Sequence, residues 1–126
     1  MKRIKSIILA ATMAASVSTA HATELSGLVN HTLKVWDGGN VEEFCFLYAN
    51  SYRVAAFQLL DQELSTSELR EVRGQLPRTT PGIKLDGILR AATVRDGRMT
   101  YTEHEIMIEQ MHRMVSQDCT EQGGYR

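Results

Sequence analysis

Residues 40–60, NVEEFCFLYANSYRVAAFQLL, constrain this chain more than any other stretch. Phe44, Tyr48, Ala55 and Leu59 form one stripe of a helical cylinder, and Phe46, Leu47, Val54, Phe57 and Leu60 form another. A helix that is apolar on most sides is stable only when other helices surround it. Asn40 is a good N-cap, and Glu43 three residues on can return a bond to its amide, so the helix is expected to begin there and run to residue 60 or 61. The segment therefore reads as the central helix of a small bundle.

The other segments agree with that reading, because none alternates with period two for long enough to suggest a half-buried strand. A first helix is expected over residues 23–36, with Leu25, Leu28, Val29, Leu33 and Trp36 on one stripe and Asp37-Gly38-Gly39 as its stop. Ser65-Thr66-Ser67-Glu68 has the form of a capping box and starts a short helix carrying Leu69, Val72 and Leu76, closed by Pro77. A fourth helix is expected over 83–95, with Leu85, Ile88, Leu89 and Ala92 on one face despite Gly87 in its middle. Asp96-Gly97 makes a turn, and Thr102-x-x-Glu105 opens a fifth helix whose stripe is Met107, Met111, Met114 and Val115. The tail, residues 122–126, is expected to fray. The fold class is all-α, a bundle of about five helices in one domain spanning residues 23–126.

Residues 1–22, MKRIKSIILAATMAASVSTAHA, read as a cleaved secretory signal peptide: Lys2, Arg3 and Lys5, an apolar run from Ile7, then the small-residue site Ala20-His21-Ala22. A spanning helix needs about 20 apolar residues, and Ser16, Ser18, Thr19 and His21 interrupt this one too soon. The expected location is periplasmic or secreted, with no membrane association after cleavage. Losing the leader removes three basic and no acidic side chains, so the formal charge falls from −1 to −4. Lys34 and Lys84 are then the only lysines and the arginines are scattered along the sequence, which disfavours nucleic acid as a partner. In an oxidising compartment the two cysteines, Cys45 and Cys119, are expected to pair, which requires the second and fifth helices to lie antiparallel.

No constellation for catalysis stands out. "RDGRMTYTE" resembles the second half of a calcium-binding helix-loop-helix, but the first and third ligand positions would be Ala92 and Val94, which cannot ligate. Glu109-x-x-His112 has di-iron spacing without the second such pair that those sites need. His104 and His112 would stand about 12 Å apart along a helix, too far to share an ion. There is neither a GxSxG elbow nor a Gly-rich phosphate loop. No metal and no cofactor are expected. The methionine stripe is either core or an adaptable binding groove. Trp36 is either an exposed anchor for a partner or buried against the second helix.

Cys45-x-x-Tyr48-x-x-Ser51, near the start of a central helix in a signal-bearing chain with a late cysteine, resembles the periplasmic immunity proteins that neutralise amidase toxins of type VI secretion. That family commonly has glycine where this chain has Leu47 and Ser51, and the early extra cysteine of some members is absent. The resemblance implies a small, disulfide-containing, non-enzymatic inhibitor that plugs a secreted hydrolase toxin and forms a homodimer, through an apolar stripe left over on the second or fifth helix. The plugging loops would be residues 37–40 and 76–82, which makes Trp36, Asp37, Asn40, Arg78 and Thr79 the candidate partner-binding residues. A periplasmic stress chaperone or a structural adaptor is the alternative.

Overall fold

The structure, a computed structural model, describes residues 20–126 with their side chains, and of residues 2–19 the backbone alone. The side chains of residues 1–19, most of the expected signal peptide, therefore lie outside the described residues, and its cleavage is not a feature the structure addresses. Five helices follow one another: α1 (Lys2–Gly38), α2 (Val41–Leu60), α3 (Thr66–Gly74), α4 (Thr80–Ala91) and α5 (Tyr101–Glu121). A single 3₁₀ turn, Gly123–Tyr125, ends the chain, and no strand occurs among the described residues. The fold is all-α, as the periodicity predicts.

α2 is the hub, packing against α1, α4, α5 and the final turn. Its N-cap is Asn40, whose side chain accepts from the Glu43 amide at 3.1 Å. Its buried face combines the aromatic side chains of Phe44, Tyr48 and Tyr52, which fill the core, with Cys45, Ala49, Ser51, Ala55 and Ala56, small residues that let neighbouring helices approach closely. The second stripe is only partly covered. Leu47, Val54 and Phe57 are half-buried and Phe46 is 60% exposed, so α2 is enclosed on three sides rather than all round.

Cys45 in the first turns of α2 is bonded to Cys119 at the end of α5, with the two Cα atoms 5.5 Å apart. The helices run antiparallel, as the pairing required. Arg53 donates to Glu109 across the same interface, and its guanidinium lies 5.1 Å from the Phe57 ring.

Several boundaries, one face and the tail differ from expectation, beginning with α1, which spans Lys2–Gly38 where a helix over 23–36 is expected. α3 stops at Gly74, so Leu76 lies beyond it, half-buried. α4 starts at Thr80 rather than 83 and ends at Ala91 rather than 95. Thr79 is its N-cap, and Pro81 sits in the first turn, where a missing N–H costs no helical bond. α5 starts at Tyr101 under the box Thr100-x-x-Glu103 instead of Thr102-x-x-Glu105. Its buried side chains are His104, Ile108 and Cys119, while Met107 and Met111 are half-buried and Met114 is exposed. The tail is not frayed, because Gly124 is buried at φ 72°, a left-handed conformation that glycine adopts freely, and turns Tyr125 back onto the bundle.

Two predictions follow from this packing. Reducing the disulfide, or replacing both cysteines by serine, is expected to cost about 4 kcal/mol, because cross-linking residues 74 apart removes loop-closure entropy from the unfolded chain; urea midpoints with and without reductant measure it. The two glycines of α4 should respond with opposite signs. A Cβ on Gly82 would stand 2.0 Å from the Pro77 carbonyl oxygen, whereas one on Gly87 meets nothing. Gly82→Ala is expected to destabilise by about 2 kcal/mol or more, and Gly87→Ala to stabilise by up to about 1 kcal/mol, read from the same denaturation curves.

Candidate functional site

The antiparallel course of the helices gathers three connections at one end of the bundle: the α1–α2 turn, the α3–α4 turn and the C-terminal turn. The first and last are tied to one another. Trp36 Nε1 donates to the Gly124 carbonyl at 3.2 Å, and the Arg126 guanidinium lies 4.4 Å from the indole centroid. Tyr125 meets Tyr48 edge-on at 5.5 Å, and its hydroxyl donates to Asp118 at 2.9 Å. Lys84 Nζ stands 4.5 Å from the Tyr125 ring, and the Tyr48 hydroxyl donates to the Lys84 carbonyl at 3.1 Å, so α4 joins the same cluster. Burial pushes the Tyr48 phenol up to about 12, which keeps it a neutral donor throughout the physiological range.

The five candidate residues separate into two groups. Trp36 is half-buried under the C-terminal turn, Asp37 is exposed, and Asn40 uses its side chain to cap α2. Across the end of the bundle, Arg78 and Thr79 are exposed on the α3–α4 turn, where Thr79 Oγ1 accepts from the Gly82 amide at 3.4 Å. The loop expected over 76–82 is shorter than the sequence suggested, since Thr80, Pro81 and Gly82 belong to α4. Gly82 lies directly against the Pro77 carbonyl, which fixes the shape of the turn.

Beside that turn lies a surface groove of about 380 Å³ between α3 and α4. Arg70 and Arg73 of α3, Arg78 of the turn and Arg90 of α4 line it, with Asp86 as the one acidic residue. Asp86 holds two of the four in place: Arg73 Nε donates to Oδ1 at 2.9 Å and Arg90 Nε to Oδ2 at 3.0 Å. Arg70 and Arg78 form no ion pair among the described residues. Leu76, Pro77 and Ile83 supply apolar lining, and Ile83 is 62% exposed. Of this groove, the sequence singled out the 76–82 segment, with Arg78 as its candidate binding residue, but none of the arginines on α3 or α4. Arg70/Arg73 and Asp86/Arg90 are visible as helical pairs three and four apart, but their meeting across a turn is a tertiary fact.

The remaining motifs find ordinary partners. Asp96 Oδ1 accepts from the Arg98 amide at 2.9 Å and from its side chain, which holds the Asp96 carboxyl below its usual range. Glu103 returns the capping bond to Thr100, and its carboxyl is lowered by the same backbone hydrogen bond. Tyr101 donates to Asp61, and that hydrogen bond pushes its phenol up to about 12. Glu109 is paired with Arg53. No group of three His, Cys, Asp or Glu side chains among the described residues comes together to hold a metal ion. Among the large apolar side chains of these two helices, Phe46 on α2 and Ile106 and Met114 on α5 are exposed. Compared with models of protein families, with curated proteins and with solved structures, the chain matches none.

His112, from the Glu109-x-x-His112 pair, carries a pH prediction. Burial, then the Arg53 charge, push its pKa below the ordinary 6.5. The unfolded chain therefore takes up this proton first as the pH falls, and stability present above about 6.5 is lost progressively as the pH drops toward the lowered value. His112→Gln is expected to flatten the fall in the urea midpoint between about pH 7.5 and 5.5, ahead of the acid range in which Asp96 and Glu103 titrate; an unchanged slope would assign it to other groups.

Proposed function

We propose that this chain is an exported, non-enzymatic binding protein, in its sharpest form an immunity-type inhibitor that blocks a secreted hydrolase toxin by protein–protein contact. The observation that carries the reading is the α3–α4 turn. Pro77, Arg78 and Thr79 are exposed at the tip of a scaffold closed by a long-range disulfide, and the contact between Gly82 and Pro77 gives the turn a fixed shape. A pre-shaped projection loses little entropy on docking, which favours tight and selective contact. The resemblance carried by Cys45, Tyr48 and Ser51 supports the same class. Those three residues are buried, so their part is to build the scaffold, and the contact itself falls to the turn and its surroundings.

The chaperone alternative needs apolar surface released by partial unfolding, which a disulfide joining α2 to α5 restrains. Expression with the disulfide intact, followed by affinity capture, separates the classes. One protein recovered at a fixed ratio, with its hydrolytic activity suppressed in the complex, is the expected result. Many clients at low ratio would replace the reading with a chaperone, and turnover of a substrate by the isolated chain would end the non-enzymatic assignment.

A further inference from the structure

The α3–α4 groove concentrates charge of one sign on a chain that carries the other. Four of the ten arginines line it against a single carboxylate, Asp86, while the whole chain has formal charge −1. Such a concentration has an electrostatic cost unless something negative visits it, and a fold that needed only a salt bridge could stop at Arg73–Asp86. Instead Asp86 receives the Nε of two arginines, one from each helix, while Arg70 and Arg78 form no ion pair among the described residues. The start of α4 lies at the same place, so the positive end of the helix dipole adds to the arginines. Planar guanidinium groups match carboxylates in paired, two-point hydrogen bonds.

We propose that this groove binds an acidic segment of a protein partner, its carboxylates held by Arg70, Arg73, Arg78 and Arg90 and its apolar side chains set against Leu76, Pro77 and Ile83. The inference deepens the binding-protein reading and rests on it: Arg78 belongs both to the projecting turn and to the groove, so a partner docked on the turn would lay a neighbouring segment between α3 and α4. A polypeptide suits the site better than a small anion, because the lining is part apolar and Ile83 stands 62% exposed at its edge. The acidic balance elsewhere on the chain repels a negative partner from other faces and steers it to this one.

The test titrates a hexaglutamate peptide into the full chain, disulfide intact, followed by ¹⁵N NMR of backbone amides and arginine Nε groups. Saturable shifts confined to α3, the 75–79 turn and α4 are expected, weakening steeply with added salt. Arg70→Glu and Arg78→Glu, both at exposed positions, should each weaken binding by about tenfold or more, the size of one charge-assisted hydrogen bond. The charge-matched changes Arg95→Glu and Arg113→Glu lie outside the groove and should leave it within about twofold, the scale of long-range screened charge. Shifts spread over all arginines, no saturation, or inorganic phosphate binding as tightly as the peptide would overturn the proposal. The groove and the function fail separately. A stoichiometric partner captured equally well by the Arg70→Glu/Arg78→Glu chain removes the groove and keeps the binding protein. Peptide binding by a chain that turns over a substrate keeps the groove and removes the non-enzymatic reading.

Discussion

The bond between Cys45 and Cys119 sets the frame in which every other contact in this bundle is made. It joins the first turns of α2 to the last turn of α5 with their Cα atoms 5.5 Å apart, and so fixes both the direction and the register of the two longest fully described helices. Arg53 meets Glu109 about two turns along because the register places them opposite one another. The same bond holds the end of α5 beside Phe44 and Tyr48, which is where the final turn must land. A domain of this size is stabilised by roughly 5–15 kcal/mol in all, so a cross-link worth about 4 kcal/mol is a large part of the margin.

From that frame the stiffness of one end follows. The Trp36–Gly124 bond, Tyr48 donating to Lys84, Lys84 over the Tyr125 ring and Arg126 over the indole tie α1, α2, α4 and the chain end together within a few residues of the disulfide. α3 and α4 are short, and neither is cross-linked. They hold their positions through Leu69, Val72, Leu85, Ile88 and Leu89 in the core and through the close approach of Gly82 to Pro77. The groove between them is thus a local structure carried beside this tied end, with Arg73 and Arg90 both bonded to Asp86.

Where local chemistry decides an element, the sequence displays it; where two local patterns compete, or a distant partner decides, it does not. The Asn40 and Ser65 caps and the apolar face of α4 are legible because the groups involved lie within four residues of one another. Thr100-x-x-Glu103 and Thr102-x-x-Glu105 are the same pattern two residues apart, and spacing alone offers no reason to choose; Tyr101, whose hydroxyl reaches Asp61 forty residues away, shows that tertiary contacts bear on this turn. Pro81-Gly82 reads as a breaker, yet proline suits the first turn of a helix and this glycine is needed for an approach to Pro77 that no pattern displays. Gly123-Gly124-Tyr125 reads as a loose end for the same reason. Its binding site is made of Trp36, Val41, Phe44 and Tyr48, some eighty residues earlier.

The residues that carry the proposed resemblance and the residues proposed to meet a partner are therefore different residues, and physics explains why. Cys45, Tyr48 and Ser51 are one helical turn apart on the buried side of α2, where the disulfide, the bond to Lys84 and the close packing of a small side chain leave little freedom to vary. Such positions report which fold a chain can adopt. On the proposed reading, selectivity comes from side chains that the fold does not already employ, and along the α3–α4 groove Arg70 and Arg78 are exposed and form no ion pair among the described residues. Binding that depended on core positions could not change partner without losing the fold. Binding that depends on Arg70, Arg78 and Ile83 can, since each is exposed and none of them is needed to keep the helices together.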